Sequence, residues 1–440
     1  MTTTPSSDTA PAGARTDRQR LVGVDATRGI ALLGMIAVHA LPAYTGEGEI
    51  TWTYAVAAGR SAATFAVLAG VGIAFMTGRR RVPPEQRRGV AASLAARAGL
   101  VALIGFALGF ADDDITSVIL VYYGLMFLLA IPLTYLRTRT LALTGVGIAV
   151  LLPVLSHVVR AWLPESTEAN PSLGFLLHNP GGLLTELGLT GIYPALPWMA
   201  YICAGIAIGR LRLSDPRVAR GLLGFGAAAA VLASTVSWLL LVPLGGTDRL
   251  YEAGGLPEVI IYDILTWGGS GTTPITTWWW LATAAPHTTT SFDLVHTAGV
   301  AVALLGAMLL LAHLAVSRQL PALRTGLGVL GAAGGMTLTL YSAHIVVMNS
   351  ALNEIDPTVL YLGQVAAALV FATAWRARTG RGPLEGVVSD VARAAKQRAT
   401  AGARAPSGPR GRVAAGSAAA HGTPHVKEAA GAPEVGASEG

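Results

Sequence analysis

The segment Asp25-Ala-Thr-Arg28-Gly-Ile-Ala-Leu-Leu-Gly-Met-Ile-Ala-Val-His39 puts three chemically capable side chains into one apolar stretch. Arg28 and His39 are eleven residues apart. That is three helical turns to within about 20°, so a helix sets them on one face, roughly 16 Å apart along its axis. Asp25 falls on nearly the same face and can pair with Arg28. An arginine at a helix end can grip phosphate, and an imidazole in an apolar setting can serve as base or nucleophile. The separation is comparable to the pantetheine arm of an acyl-CoA, which carries phosphates at one end and a thioester at the other. Arg28 at a mouth and His39 at the end of the arm would therefore suit an acyl-CoA cosubstrate. Two plainer readings stand beside this one: an arginine that only marks the cytoplasmic end of a membrane helix, and a neutral histidine hydrogen-bonded to a neighbouring helix.

Other candidates are weaker. Arg60 lies nineteen residues before Arg79, near the outer leaflet, where it could hold an acidic or phosphorylated acceptor or simply snorkel to the headgroups. His344, beside Tyr341 and Ser342 in the ninth apolar run, falls toward the outer half. It could complete an acceptor site with His39 or make an interhelical hydrogen bond. Gly326, Gly328 and Gly331 match the GxGxxG dinucleotide fingerprint, but that motif needs a preceding strand. Here it opens a membrane helix, so small residues for close packing are expected, as at Gly205 and Gly209. GxxxxGK[ST], HExxH and GxSxG are absent from the chain. Of nine histidines, His421 and His425 fall in the tail and His157, His178, His287 and His296 in or near outer segments. Among the three in membrane helices, His313 is only five residues before Arg318 and far from His39 and His344. No metal site and no permanently bound cofactor is expected. The single cysteine, Cys203, excludes an intramolecular disulfide framework and any CxxC site.

The elements that position these residues follow from composition. The chain has 440 residues, 52% hydrophobic and 13% charged, with a mean hydropathy of +0.54, against about a quarter charged in ordinary soluble domains. Apolar runs occur at about 22–44, 52–76, 98–111 (extending back to about 91), 116–136, 140–159, 189–209, 221–243, 293–316, 327–351 and 358–375. An all-α, polytopic integral membrane protein of about ten transmembrane helices is predicted. With both termini cytoplasmic, 28 of the 31 Lys and Arg residues fall inside, leaving Arg60, Arg160 and Arg249 outside. The positive-inside rule therefore predicts N-in and C-in. The basic residues lie in loops between apolar segments, which argues against nucleic acid as a partner. Residues 1–19 read as a disordered cytoplasmic arm rather than a signal peptide. Residues 20–381 read as the membrane domain, with a long outer loop at 244–292 whose Trp267, Trp278, Trp279 and Trp280 are expected as an interfacial belt. Residues 382–440 read as a mostly disordered cytoplasmic tail with a short amphipathic piece at Leu384–Ala395, its basic residues set against anionic lipid.

Residues 20–76, with the opening RLxxxDxxRGxAxxGM, resemble the N-terminal part of the heparan-alpha-glucosaminide N-acetyltransferase catalytic domain. YPALPWMAYICAGIAIGRL at 193–211 resembles the same group. The Arg-x10-His spacing is similar to that of the acyltransferase-3 family, and Arg28 and His39 carry over from that pattern. GGMTLTLYSAHIVV at 334–347 with GRGPLE at 380–385 looks like the C-terminal region of YeiB-like bacterial membrane proteins. The resemblance implies a multi-pass inner-membrane acyltransferase. It would move an acyl group, in this group acetyl, from cytoplasmic acetyl-CoA or another acyl-CoA to an extracytoplasmic sugar or other small envelope acceptor. His39 would be catalytic, Arg28 and Asp25 would bind the cosubstrate, and Arg60, His344 and Tyr341 would lie toward the acceptor. The rival reading is a transporter or flippase for a small amphipathic or lipid-linked molecule. A third is a membrane subunit without turnover, and a homodimer is left open.

Overall fold

The computed structural model describes residues 12–167 and 169–401, with side chains from Val22 onward. Glu168, the side chains of Arg15, Arg18 and Arg20, and the tail from 402 with His421 and His425 lie outside the described residues. The chain folds as helices α1 (Ala12–Ala40), α2 (Trp52–Ala57), α3 (Arg60–Met76), α4 (Arg87–Ala107), α5 (Leu120–Leu133), α6 (Thr138–Val159), α7 (Leu173–His178), α8 (Pro180–Thr185) and α9 (Ala195–Gly209). They are followed by α10 (Pro216–Leu241), α11 (Gly246–Glu252), α12 (Glu258–Thr266), α13 (Ser291–Ser317), α14 (Pro321–Gly334), α15 (Thr337–Met348), α16 (Pro357–Thr379) and α17 (Pro383–Ala401). Among the described residues the only β pairing is an isolated bridge between Tyr44 and Ile50.

Among the described residues, seven helices are long and apolar enough to cross a membrane, or nine if each of two bent pairs is one span. The protein is thus an all-α, multi-pass membrane protein. One bent pair joins 180–190 to α9 at 52°, and the other joins α14 to α15 at 71°. The remaining apolar run forms α5, whose 14 residues rise roughly 21 Å, short of a hydrocarbon core of about 30 Å. Large aliphatic side chains left exposed on α6, α10 and α16, such as Leu143, Val231 and Val370, form the face that lipid would cover.

In lipid, helices associate where small residues let backbones approach. A Cβ at Gly334 would overlap the carbonyl oxygen of Asp25, and one at Gly29 that of Leu330, so α14 lies against α1 backbone to backbone. Gly70 and Gly205 do the same for α3 and α9, and Gly226 and Gly299 for α10 and α13. Within the GxGxxG stretch only Gly331 touches α1, with Asp25 Cβ 3.6 Å from its would-be Cβ. Gly326 and Gly328 face open space, so the packing role expected of all three belongs to Gly331 and Gly334.

The arginine-rich loops gather at one end. Arg79 donates to the carbonyls of Gly209 and Leu211, Arg81 to Tyr135, Arg210 to Thr134 and Leu136, and Arg376 to Gly331. At the opposite end Tyr54 donates to Trp267, Arg160 to Thr272 and Asn349 to Thr116. Loops that the charge pattern assigns to one side therefore meet on one side.

Three local expectations change. Helix α1 begins at Ala12, inside the stretch whose composition reads as an arm, because an established helix extends readily through Ala, Arg, Gln and Thr. Past residue 381, α17 packs on protein. Val388 and Ala392 are buried, Gly89 of α4 faces Thr400 and Lys396, and the Glu385 carboxylate accepts from Thr339 N–H at 3.1 Å and its hydroxyl at 2.7 Å. The tryptophans of 267–280 do not form a belt. Trp280 is fully buried with Leu250 and Ile261, Trp279 lies under Arg249, Trp267 lies beneath Tyr44 and Tyr54, and Trp278 alone of the four is exposed.

Candidate functional site

Helix α1 carries Arg28 and His39 from one end of the bundle into its middle. Arg28 is held by Asp25 at 3.1 Å and by the Leu68 carbonyl at 3.2 Å. Three turns on, His39 Nδ1 lies 2.9 Å from His344 Nε2 on α15, with the two rings nearly parallel at 4°. Two nitrogens ligating one tetrahedral metal at about 2.0 Å each would sit about 3.3 Å apart, wider than the 2.9 Å found here, so this contact is a hydrogen bond. His344 Nδ1 in turn lies 2.7 Å from Gln364 Oε1 on α16, and Gln364 Nε2 points at Met348 Sδ, 3.5 Å away.

That chain assigns the protons. Gln364 Oε1 can only accept, so His344 Nδ1 carries the hydrogen and His344 Nε2 accepts. His39 Nδ1 is then the donor, and His39 Nε2 keeps a lone pair with no protein partner. His39 borders a chamber of about 40 Å³ whose wall includes Ser61, Ser117, Tyr193, His287 and Tyr341. A second cavity of about 260 Å³ opens at the arginine end, lined by Arg28, Arg97, Thr337 and Glu385. The two share Met35, Phe65, Ile119 and Tyr341 as walls, so they adjoin at this layer of side chains, the neck between them. Arg97 lines that cavity as a second guanidinium beside Arg28, its Nε buried without a hydrogen bond among the described residues. A further cavity, about 930 Å³, lies apart between α13 and α14 against Val22 and is lined by none of the candidate residues.

The residues expected toward the acceptor separate. Tyr341 donates to the Ser117 carbonyl and accepts from Ile119 N–H, both at 3.2 Å, so its hydroxyl holds the 117–119 backbone at the neck. His344 stands behind His39, not beside Arg60. Arg60 donates to the Ala58 carbonyl at 2.9 Å and to His296 Nε2 at 3.2 Å. His296 must therefore carry its hydrogen on Nδ1, which meets Ser234 Oγ at 2.7 Å. Nearby on α13, Asp293 is buried and accepts from Thr289 N–H at 3.0 Å, and Arg60 supplies the attracting charge.

Four residues escaped the sequence reading. Gln364 and Arg97 each left a trace as a polar residue inside an apolar run. Tyr193 and His287 left none, because they reach the chamber from a bend and a loop. His287 has a φ of 55°, and its ring stands edge-on to Tyr193 at 5.6 Å. Its Nδ1 is buried without a partner. Burial, reinforced by Arg60, lowers its pKa to about 4, which leaves the imidazole neutral at pH 7.

Among the described residues no group of three or more His, Cys, Asp or Glu could hold a metal ion. No curated protein gives a significant match to the chain. A family model described as heparan-alpha-glucosaminide N-acetyltransferase, catalytic, matches residues 20–241. The matched segment contains Arg28, His39, Arg60, Arg97 and Tyr193, while His287, His344 and Gln364 lie beyond it. With about half of its length so matched, the chain belongs to the heparan-alpha-glucosaminide N-acetyltransferase catalytic family, an acetyltransferase-type group of membrane enzymes.

Proposed function

We propose that the protein is an N-in and C-in enzyme of the cell's inner membrane, with the short α5 as a tenth span beside the nine counted above. It takes an acetyl group from cytoplasmic acetyl-CoA and delivers it to an extracytoplasmic sugar or other hydroxyl or amine acceptor. The observation that carries this reading is the pair of adjoining cavities, one lined by Arg28 and Arg97 and the other by His39, whose Nε2 is free. Phosphate would meet the two guanidinium groups by charge-assisted hydrogen bonds, and the pantetheine arm would pass the neck. The inner chamber offers about 40 Å³, roughly three water-sized probes, which suits an acetyl group and not a long acyl chain.

His39 Nε2 attacks the thioester carbonyl and the C–S bond breaks. The His39 Nδ1 proton passes to His344 Nε2, leaving a neutral acetyl-imidazole, and the CoA thiolate departs to the cytoplasmic side. The Gln364 carbonyl steadies the His344 imidazolium through Nδ1–H, a charge-assisted bond stronger than the neutral one it replaces. Arg60, hydrogen-bonded to neutral His296, offers positive charge where an acidic or phosphorylated acceptor would approach.

Acetyl-CoA binding and exchange of labelled CoA into acetyl-CoA by the purified protein test this reading, because exchange needs the first half-reaction alone. Arg28→Ala should weaken acetyl-CoA binding by roughly 1.5–3 kcal/mol, about ten- to a hundredfold. His39→Ala should bind normally and not exchange. A transporter would neither bind acetyl-CoA nor exchange, and wild-type exchange by His39→Ala would sink the assignment.

A further inference from the structure

The loop between Thr283 and Ser291 is tied down from several sides. Pro286 O accepts from Gly269 N–H at 2.9 Å and His287 O from Gly271 N–H at 2.8 Å. Thr288 Oγ1 donates to Ala285 O at 2.7 Å, and the Asp293 carboxylate holds Thr289 N–H at 3.0 Å. A Cβ on Gly59, which also borders the chamber, would come within 3.0 Å of Pro286 Cβ. These ties hold His287 at a φ of 55° and Thr289 at 52°, left-handed conformations that strain non-glycine residues and persist only where the surroundings over-determine them. What they achieve is to thrust an imidazole into the wall of the His39 chamber from the outer end. One nitrogen is sealed off without a partner, and the Tyr193 ring sits edge-on to it. A buried polar group left unpaired by so constrained a segment calls for a role.

We infer that His287 is the acceptor-side base of the transfer, taking the proton of a hydroxyl or amine that reaches the chamber from the extracytoplasmic end. This rests on the acetyl-imidazole reading above. As the acceptor's lone pair attacks the acetyl carbonyl on His39 Nε2, its O–H or N–H proton moves to the chamber-facing nitrogen of His287. The bond from the acetyl carbon to His39 Nε2 breaks, and His39 Nδ1 recovers the proton held on His344 Nε2. The His287 imidazolium then sheds its proton to outer water. Three imidazoles divide the work, with His39 and His344 serving the donor half and His287 the acceptor half. Arg60, near the same loop, favours the neutral form of His287 between turnovers.

The test separates the halves. Purified protein is given labelled acetyl-CoA, with CoA exchange reporting donor chemistry and discharge to water, methylamine or glucosamine reporting acceptor chemistry. Asparagine tolerates the left-handed backbone that His287 occupies, so His287→Asn should keep exchange within about twofold of wild type. Its discharge should fall by about 10²–10⁴. His287→Gly, for which a φ of 55° is unstrained, should recover discharge when free imidazole is added. The inference is overturned by wild-type discharge in His287→Asn, by exchange and discharge falling together, or by failure of imidazole to rescue. It is also overturned if the wild type exchanges but discharges to none of the three probes. Absence of exchange in the wild type would instead overturn the donor reading itself.

Discussion

The relay from His39 through His344 to Gln364 makes a graded prediction. In the resting state His39 Nδ1–H meets His344 Nε2 at 2.9 Å as a neutral hydrogen bond, worth about 1 kcal/mol net. As the acetyl-imidazole forms, His344 gains a proton. Its 2.7 Å bond to Gln364 becomes charge-assisted, worth about 1.5–3 kcal/mol. Gln364→Leu removes only that increment, about 1–2 kcal/mol, so exchange should slow about five- to thirtyfold. His344→Leu removes the proton acceptor itself and should cost about 10²–10⁴, while His344→Gln, which keeps an acceptor oxygen but cannot take the proton, should fall between. The measurement is CoA exchange at saturating acetyl-CoA, with acetyl-CoA affinity and melting temperature in detergent as controls, neither of which should move in step with rate. The reasoning fails if Gln364→Leu costs as much as His344→Leu, or if His344→Leu exchanges within threefold of wild type.

For topology, cysteines placed at Glu47, Asp113 and Gly255, all exposed, should label from outside in intact cells, and those at Arg80 and Ser214 only after permeabilisation; labelling at Arg80 in intact cells reverses the orientation. Among the glycines of α14, Gly334→Ala should lower stability by about 1–3 kcal/mol or more, because its Cβ would strike the Asp25 backbone, whereas Gly326→Ala and Gly328→Ala, which meet nothing, should be neutral or stabilising. Equal melting temperatures for the three variants would contradict the close crossing of α1 and α14. Hexanoyl-CoA should bind at the mouth but exchange at least tenfold more slowly than acetyl-CoA, since the chamber admits about 40 Å³; equal exchange would show that the chamber opens more widely than this.

What composition and spacing determined was the class of solvent and the contents of one helix. A chain that is 52% hydrophobic and 13% charged must satisfy its backbone internally in lipid, and helices do so segment by segment, so the apolar runs map onto the helices. The face shared by Arg28 and His39 was equally legible, because 100° per residue is a local property of the helix. The bend between α14 and α15 was not, since hydropathy runs on unbroken through Gly334 and Gly335.

Nor could any local rule pair His39 with a residue 305 positions away, because helix adjacency is set by where backbones can approach, here at Gly29 and Gly334. Histidine depth was misjudged for a related reason. Counting along the chain assigns His287 to an outer loop, yet the ties from Gly269, Gly271 and Asp293 fold that loop back into the bundle. Depth along the helix sets Arg60 and Tyr341 toward the outer half, but their partners are tertiary: Arg60 meets His296, and Tyr341 the backbone at the neck. Periodicity is written into each segment, whereas the site exists only where segments distant in sequence converge, and that convergence depends on long-range packing that no single segment encodes.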